Sequence, residues 1–89
     1  MLKEQVTIIN KLGLHARAAA LFATTANRFA SKIMVGTHGK LVDAKSVMSL
    51  MLLAASQGSH LNVEVQGDDE DAAMHAVTSL ISDRFGEAE

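Results

Sequence analysis

The chain contains no cysteine, proline, tryptophan or tyrosine, and its aromatic residues are only Phe22, Phe29 and Phe85. Without cysteine there is neither a disulfide framework nor a thiolate metal site. With so few rings, a stacking platform for single-stranded nucleic acid is not expected. An excess of charge of one sign is missing too: the formal net charge is −2. That argues against general binding to a phosphate backbone, so any anion must be held by a local device. The longest apolar stretch, residues 47–55 interrupted by Ser49, falls far short of the roughly 20 residues that span a bilayer. Residues 1–6 show no basic segment leading into an apolar one, so no signal peptide is read. The expectation is a soluble, cytoplasmic protein without membrane insertion.

What is present is a globular composition, 48% apolar and 20% charged over 89 residues. That length suits one domain, residues 1–89. Val6 and Ile8 alternate with polar neighbours, giving a strand near residues 3–9. From Ala16 the chain is rich in alanine, and Ala19, Phe22, Ala23, Ala26 and Phe29 follow helical spacing to about Asn27 or Arg28. Ile33 and Val35 mark a second strand. Thr37, His38 and Gly39 form a turn, and Leu41 and Val42 start a third strand in a hairpin. Ser46 caps a second helix carrying Val47, Leu50, Met51 and Ala54, which Gly58 ends. Leu61, Val63 and Val65 alternate with polar residues as a fourth strand. Asp68, Asp69, Glu70 and Asp71 open a third helix, where its dipole favours negative charge. Ala73, Ala76, Val77, Leu80 and Ile81 form its inner stripe, and Arg84 lies in its last turn. The order is βαββαβα. Strands of this alternation bury one face, so the fold class is α+β: an open-faced two-layer sandwich, a mainly antiparallel four-stranded sheet covered by three helices.

The segment Gly13-Leu14-His15-Ala16-Arg17 carries the chemistry. His15 falls where a strand-to-helix loop meets the first helical turn. The first amides of a helix, here Ala16 and Arg17, lack intrahelical partners, and the dipole adds positive potential. Such an end receives anions. Arg17 adds a guanidinium fork suited to phosphate oxygens. A neutral imidazole in this place is a nucleophile beside a phosphate cradle. From the spacing alone, the plainer reading is a histidine that only caps a helix, with Arg17 on a solvated face. His38, His60 and His75 fit no metal-ligand spacing and read as surface residues; no metal and no cofactor is expected.

Gly-Leu-His-Ala-Arg at 13–17, together with Lys45-Ser46-Val47-Met48, the element order and the chain length, resembles the HPr family. These are the histidine phosphocarriers of the bacterial phosphoenolpyruvate-dependent phosphotransferase system. The resemblance covers essentially the whole chain. It implies that Nδ1 of His15 accepts a phosphoryl group from Enzyme I and passes it to an enzyme II A-type acceptor, with Arg17 contacting the phosphoryl group. It also implies that Ser46 is a target of an HPr kinase/phosphorylase; read from the residues alone, Ser46 is an N-cap worth about 1 kcal/mol. Leu14, Ala20, Leu21, Val47, Met48 and Met51 are expected to form the partner-docking patch, although core packing is the plainer reading of Val47, Met48 and Met51. Two departures stand out. Ala18 replaces the usual proline after the arginine, which predicts a slightly less rigid first turn. Thr24, Asn27 and Ser49 stand where several members carry basic residues, which weakens steering toward an acidic partner. The expected state is a monomer. The alternative reading is a non-catalytic regulatory interaction module switched by phosphorylation of Ser46.

Overall fold

The computed structural model describes residues 1–89. The elements are β1 (Leu2–Thr7), α1 (Ala16–Ala26), β2 (Lys32–Thr37), β3 (Lys40–Asp43), α2 (Val47–Leu52), β4 (His60–Gln66) and α3 (Glu70–Ser82), followed by a 3₁₀ turn at Arg84–Gly86. The order is βαββαβα as expected. The strands form one sheet in the order β1-β4-β2-β3, and each neighbouring pair is antiparallel. β4 is central: Val63 is opposite Glu4 on one side and Val35 on the other.

Alternation sets which face is covered. Leu61, Val63 and Val65 of β4 and Ile33 and Val35 of β2 are fully buried, and Asn62 and Glu64 are not. The helices supply the other half of the core with Ala19, Phe22, Ala23 and Ala26 from α1 and Ala73, Met74, Val77 and Ile81 from α3. Fully burying a side chain such as Phe22 or Ile33 stabilises the fold by about 1.5–3 kcal/mol. Alanine on α1 lets that helix lie close to α2 and α3. The β2–β3 hairpin turns through His38 (φ 53°) and Gly39 (φ 80°), the left-handed pair that a two-residue turn between twisted strands requires.

Some boundaries differ from the sequence reading. β1 stops at Thr7, and Ile8 goes on into the core without pairing as strand. α2 is only six residues and ends at Leu52, well before Gly58; Ala54 takes φ 51° and turns the chain away. α3 ends at Ser82. Arg84 is not in its last turn, because Arg84 and Phe85 both adopt positive φ (55° and 54°) and reverse the chain. That reversal drives Phe85 into the core, 1% exposed, with its ring 6.5 Å from that of Phe22. Ala76 and Leu80 are only partly buried, while Met74 joins the stripe instead.

The acidic start of α3 has a second task. Asp69 makes no capping bond to its own helix. Its carboxylate instead accepts from the backbone N–H groups of Ala30 and Ser31, at 2.9 Å each, and from the Ser31 hydroxyl. The bond from Ser31, then that from Ala30, holds its carboxyl below the ordinary value of 3.8. A carboxylate with a depressed folded pKa stabilises fully above its unfolded pKa, and the benefit disappears as pH falls through the folded value. Asp69→Asn is therefore expected to flatten the loss of stability below about pH 4, measured as the denaturation midpoint in urea across an acid titration.

Candidate functional site

The site is built on the turn between β1 and α1. Gly13 has φ 66°, and a Cβ there would lie 2.6 Å from the carbonyl oxygen of Ala55. No other residue fits that conformation and that approach together. The next residue fastens the turn: the N–H of Leu14 donates to the same Ala55 carbonyl at 2.8 Å. Leu14 is 4% exposed and anchors the loop in the core.

With Leu14 held, His15 becomes the N-cap of α1, extended at φ −77° and ψ 178°, and its side chain makes no capping bond. The helix starts above it, with the N–H of Ala19 donating to the His15 carbonyl at 2.8 Å. The N–H groups of Ala16, Arg17 and Ala18 donate to no backbone carbonyl and no side chain. The imidazole is about one quarter exposed. Arg17 is exposed and forms no ion pair. His15 and Arg17 share an open cleft of about 660 Å³ with Lys11, Leu12, Glu87 and Glu89. The structure thus brings together the imidazole, the guanidinium and free helix-start amides, the arrangement in which an anion is stabilised.

Two residues of this site were not singled out in the sequence. Glu87, returned by the reversal at Arg84 and Phe85, places Oε2 against Nε2 of His15. Asn10 is fully buried, and its amide donates to Glu87 Oε1 at 2.9 Å and to the Gly13 carbonyl at 2.8 Å. The Asn10 and His15 hydrogen bonds, in that order, hold the Glu87 carboxyl below its ordinary range, and the nearby charges of His15 and Arg17 act in the same direction. Asn10 Oδ1 is buried without a partner, a cost of about 1–3 kcal/mol. Turning the amide over would set that oxygen against two acceptors. No local pattern marks either residue: Asn10 reads as an ordinary loop residue, and Glu87 is 72 residues from His15.

The second region lies around α2. Ser46 is its N-cap, as expected, with Oγ accepting from the N–H of Ser49 at 3.2 Å. Its loop is braced by Asn27, whose amide donates to the Lys45 carbonyl at 3.0 Å, and by Lys45, whose Nζ donates to the Phe29 carbonyl at 2.8 Å. Met48 is 75% exposed, and Val47, Met51, Ala20 and Leu21 also face solvent; core packing is not their role. Leu14 is a correction to the expected patch, since it lies beneath this surface in the core. Leu12 and Leu52, not anticipated, are strongly exposed. His38, His60 and His75 are at the surface, and His60 Nδ1 pairs with the Thr7 hydroxyl at 3.0 Å. No group of three or more histidine and carboxylate side chains is arranged to hold a metal ion, and no helix is long and apolar enough to cross a membrane.

Fold and site together define a small α+β protein that presents one histidine at a helix start. Residues 2–83 match the family described as the PTS HPr component phosphorylation site. The phosphocarrier protein HPr of Cupriavidus necator is 51% identical over 89 residues, the full length of both chains. That of Pseudomonas aeruginosa is 48% identical over 86 residues, 96% of each chain. The crystal structure of HPr from Thermoanaerobacter tengcongensis superposes with a TM-score of 0.96 at 46% identity, covering both chains completely. A further structure from that organism, 47% identical with a TM-score of 0.78 and covering 98% of this chain and all of that one, is described as an HPr dimer. This chain belongs to the HPr family of phosphocarrier proteins.

The Gly13 turn sets where His15 stands, so it should be intolerant of a side chain. Gly13→Ala is expected to lower unfolding free energy by about 1–3 kcal/mol, read by urea denaturation.

Proposed function

We propose that this chain accepts a phosphoryl group from phospho-Enzyme I on Nδ1 of His15 and passes it to an enzyme II A-type acceptor. The observation that carries this reading is the uncapped imidazole at the start of α1, beside free amides and an unpaired Arg17. The imidazole supplies the attacking lone pair. Arg17 and the amides of Ala16 and Arg17 offset the charge of the phosphoryl oxygens during transfer. The protein is then a covalent relay, with turnover only in the presence of donor and acceptor. It acts as one domain, as a monomer in the cytoplasm, and needs no cofactor of its own.

The exposed apolar surface of Ala20, Leu21, Val47, Met48 and Met51 suits partner docking, because methionine adapts to differently shaped surfaces. Ser46 adjoins it and is the proposed regulatory site, modified by an HPr kinase/phosphorylase. A phosphate there adds about −1.5 to −2 charge beside the docking surface. It repels an acidic partner while leaving the helix start intact. Sugar uptake and a purely regulatory branch use this same chemistry.

Intact-protein mass spectrometry after incubation with phosphoenolpyruvate, Mg²⁺ and Enzyme I is expected to show one acid-labile adduct of about 80 Da. His15→Ala should abolish it with the fold retained; an adduct on that variant would remove His15 from the mechanism. Arg17→Ala should slow transfer by about tenfold or more with little change in stability, and equal rates would exclude its role. Ser46→Asp should slow phosphorylation of His15 with helix content preserved, measured by quench-flow and circular dichroism. Unchanged kinetics would leave Ser46 a cap alone.

A further inference from the structure

The C-terminal segment is built into the site. Glu87 lies beyond residues 2–83, the part that matches the family. Phe85 anchors it from below, 1% exposed against Phe22. Buried Asn10 grips one carboxylate oxygen from the side and the Gly13 carbonyl with the same amide. Beyond Glu87 the backbone N–H of Lys11 donates to the Glu89 carbonyl, and Lys11 Nζ lies 3.7 Å from the Glu89 carboxylate. These tethers leave the second oxygen of Glu87 on Nε2 of His15.

A carboxylate accepts hydrogen bonds and donates none, so the nitrogen facing it carries the proton. In a neutral ring the lone pair then resides on the other nitrogen, Nδ1. We propose that Glu87 is a positioning residue for phosphoryl transfer: it holds His15 in the Nε2–H tautomer and steadies the ring cation that transfer creates. This rests on the carrier reading of His15. In the step, the Nδ1 lone pair forms the new N–P bond as the donor's bond to phosphorus breaks, and the pair from that bond leaves with the donor. Nε2 keeps its proton. The product ring is a phosphorylated imidazolium whose positive charge lies against the Glu87 carboxylate, on the side of the ring away from the new bond. Onward transfer reverses the electron flow and returns the same neutral tautomer, so no proton has to be exchanged with water in either direction. Asn10 acts one step further out by fixing the carboxylate.

The test is long-range ¹H–¹⁵N NMR of the His15 ring in the parent chain, Glu87→Ala and Glu87→Gln, with the rate of phosphoryl uptake from Enzyme I and phosphoenolpyruvate for each. The parent should show the Nε2–H tautomer. Glu87→Ala should show mixed tautomers and uptake slower by about tenfold. Glu87→Gln keeps an acceptor oxygen without the charge, so it should keep the tautomer and recover part of the rate. A phosphorylated parent whose tautomer and rate are unchanged in Glu87→Ala overturns this inference alone. A parent that takes no phosphoryl group from active Enzyme I overturns the carrier reading and this inference with it. Slow uptake in both variants with the parental tautomer retained would also overturn the positioning role.

Discussion

The hydrogen bond from the Leu14 N–H to the Ala55 carbonyl, under a Gly13 that admits no Cβ, decides where α1 begins. Everything at the site follows from that origin. Once Leu14 is seated in the core, the next residue has to be the N-cap, and the one after must enter the helix. His15 is therefore held at its backbone on both sides while its ring stays free of the capping role that serine or aspartate would take. The same start leaves the amides of Ala16 and Arg17 without a backbone acceptor. A shift of one residue in this register would rotate the imidazole by about 100° around the helix and separate it from those donors.

The core explains why so small a protein can hold such a turn firmly. β4 lies between β1 and β2, with its inward residues fully buried. The segment leading into β4 carries Ala55 and is tied to the chain after β1: Ile8 donates to Ser59 at 2.9 Å and Gly58 to Ile8 at 2.8 Å. The acceptor that fastens Leu14 is thus part of the sheet's own framework. α2, by contrast, is short and buries chiefly Leu50. It is free to present Met48 and Met51 outward because it gives the core so little, and an adaptable apolar surface next to the site is the result.

Much of this was legible in the chain. Period-two alternation in 61–65 and helical spacing in 73–81 report burial on one face, and burial on one face is what a two-layer sandwich requires. Ser46 was readable as a cap because its hydroxyl needs only the amide three residues on. His15 and Arg17 were readable because both lie within one helical turn of a loop. The extent of α2 was not, since local propensity did not foretell that Ala54 would take a positive φ. Leu14 looked like a surface partner of Leu21, and its burial depends on the distant Ala55 segment.

By itself, then, the sequence determined the order of elements, the covered face of the sheet and the histidine at the helix start. Each of these depends on residues a few positions apart, where backbone geometry fixes the relation between spacing and direction. Only the tertiary structure decided that Asn10 and Glu87 belong to the site. Their meeting with His15 requires Arg84 and Phe85 to reverse the chain and Phe85 to find its place against Phe22. That contact closes a loop across nearly the whole chain, and no short-range pattern encodes it.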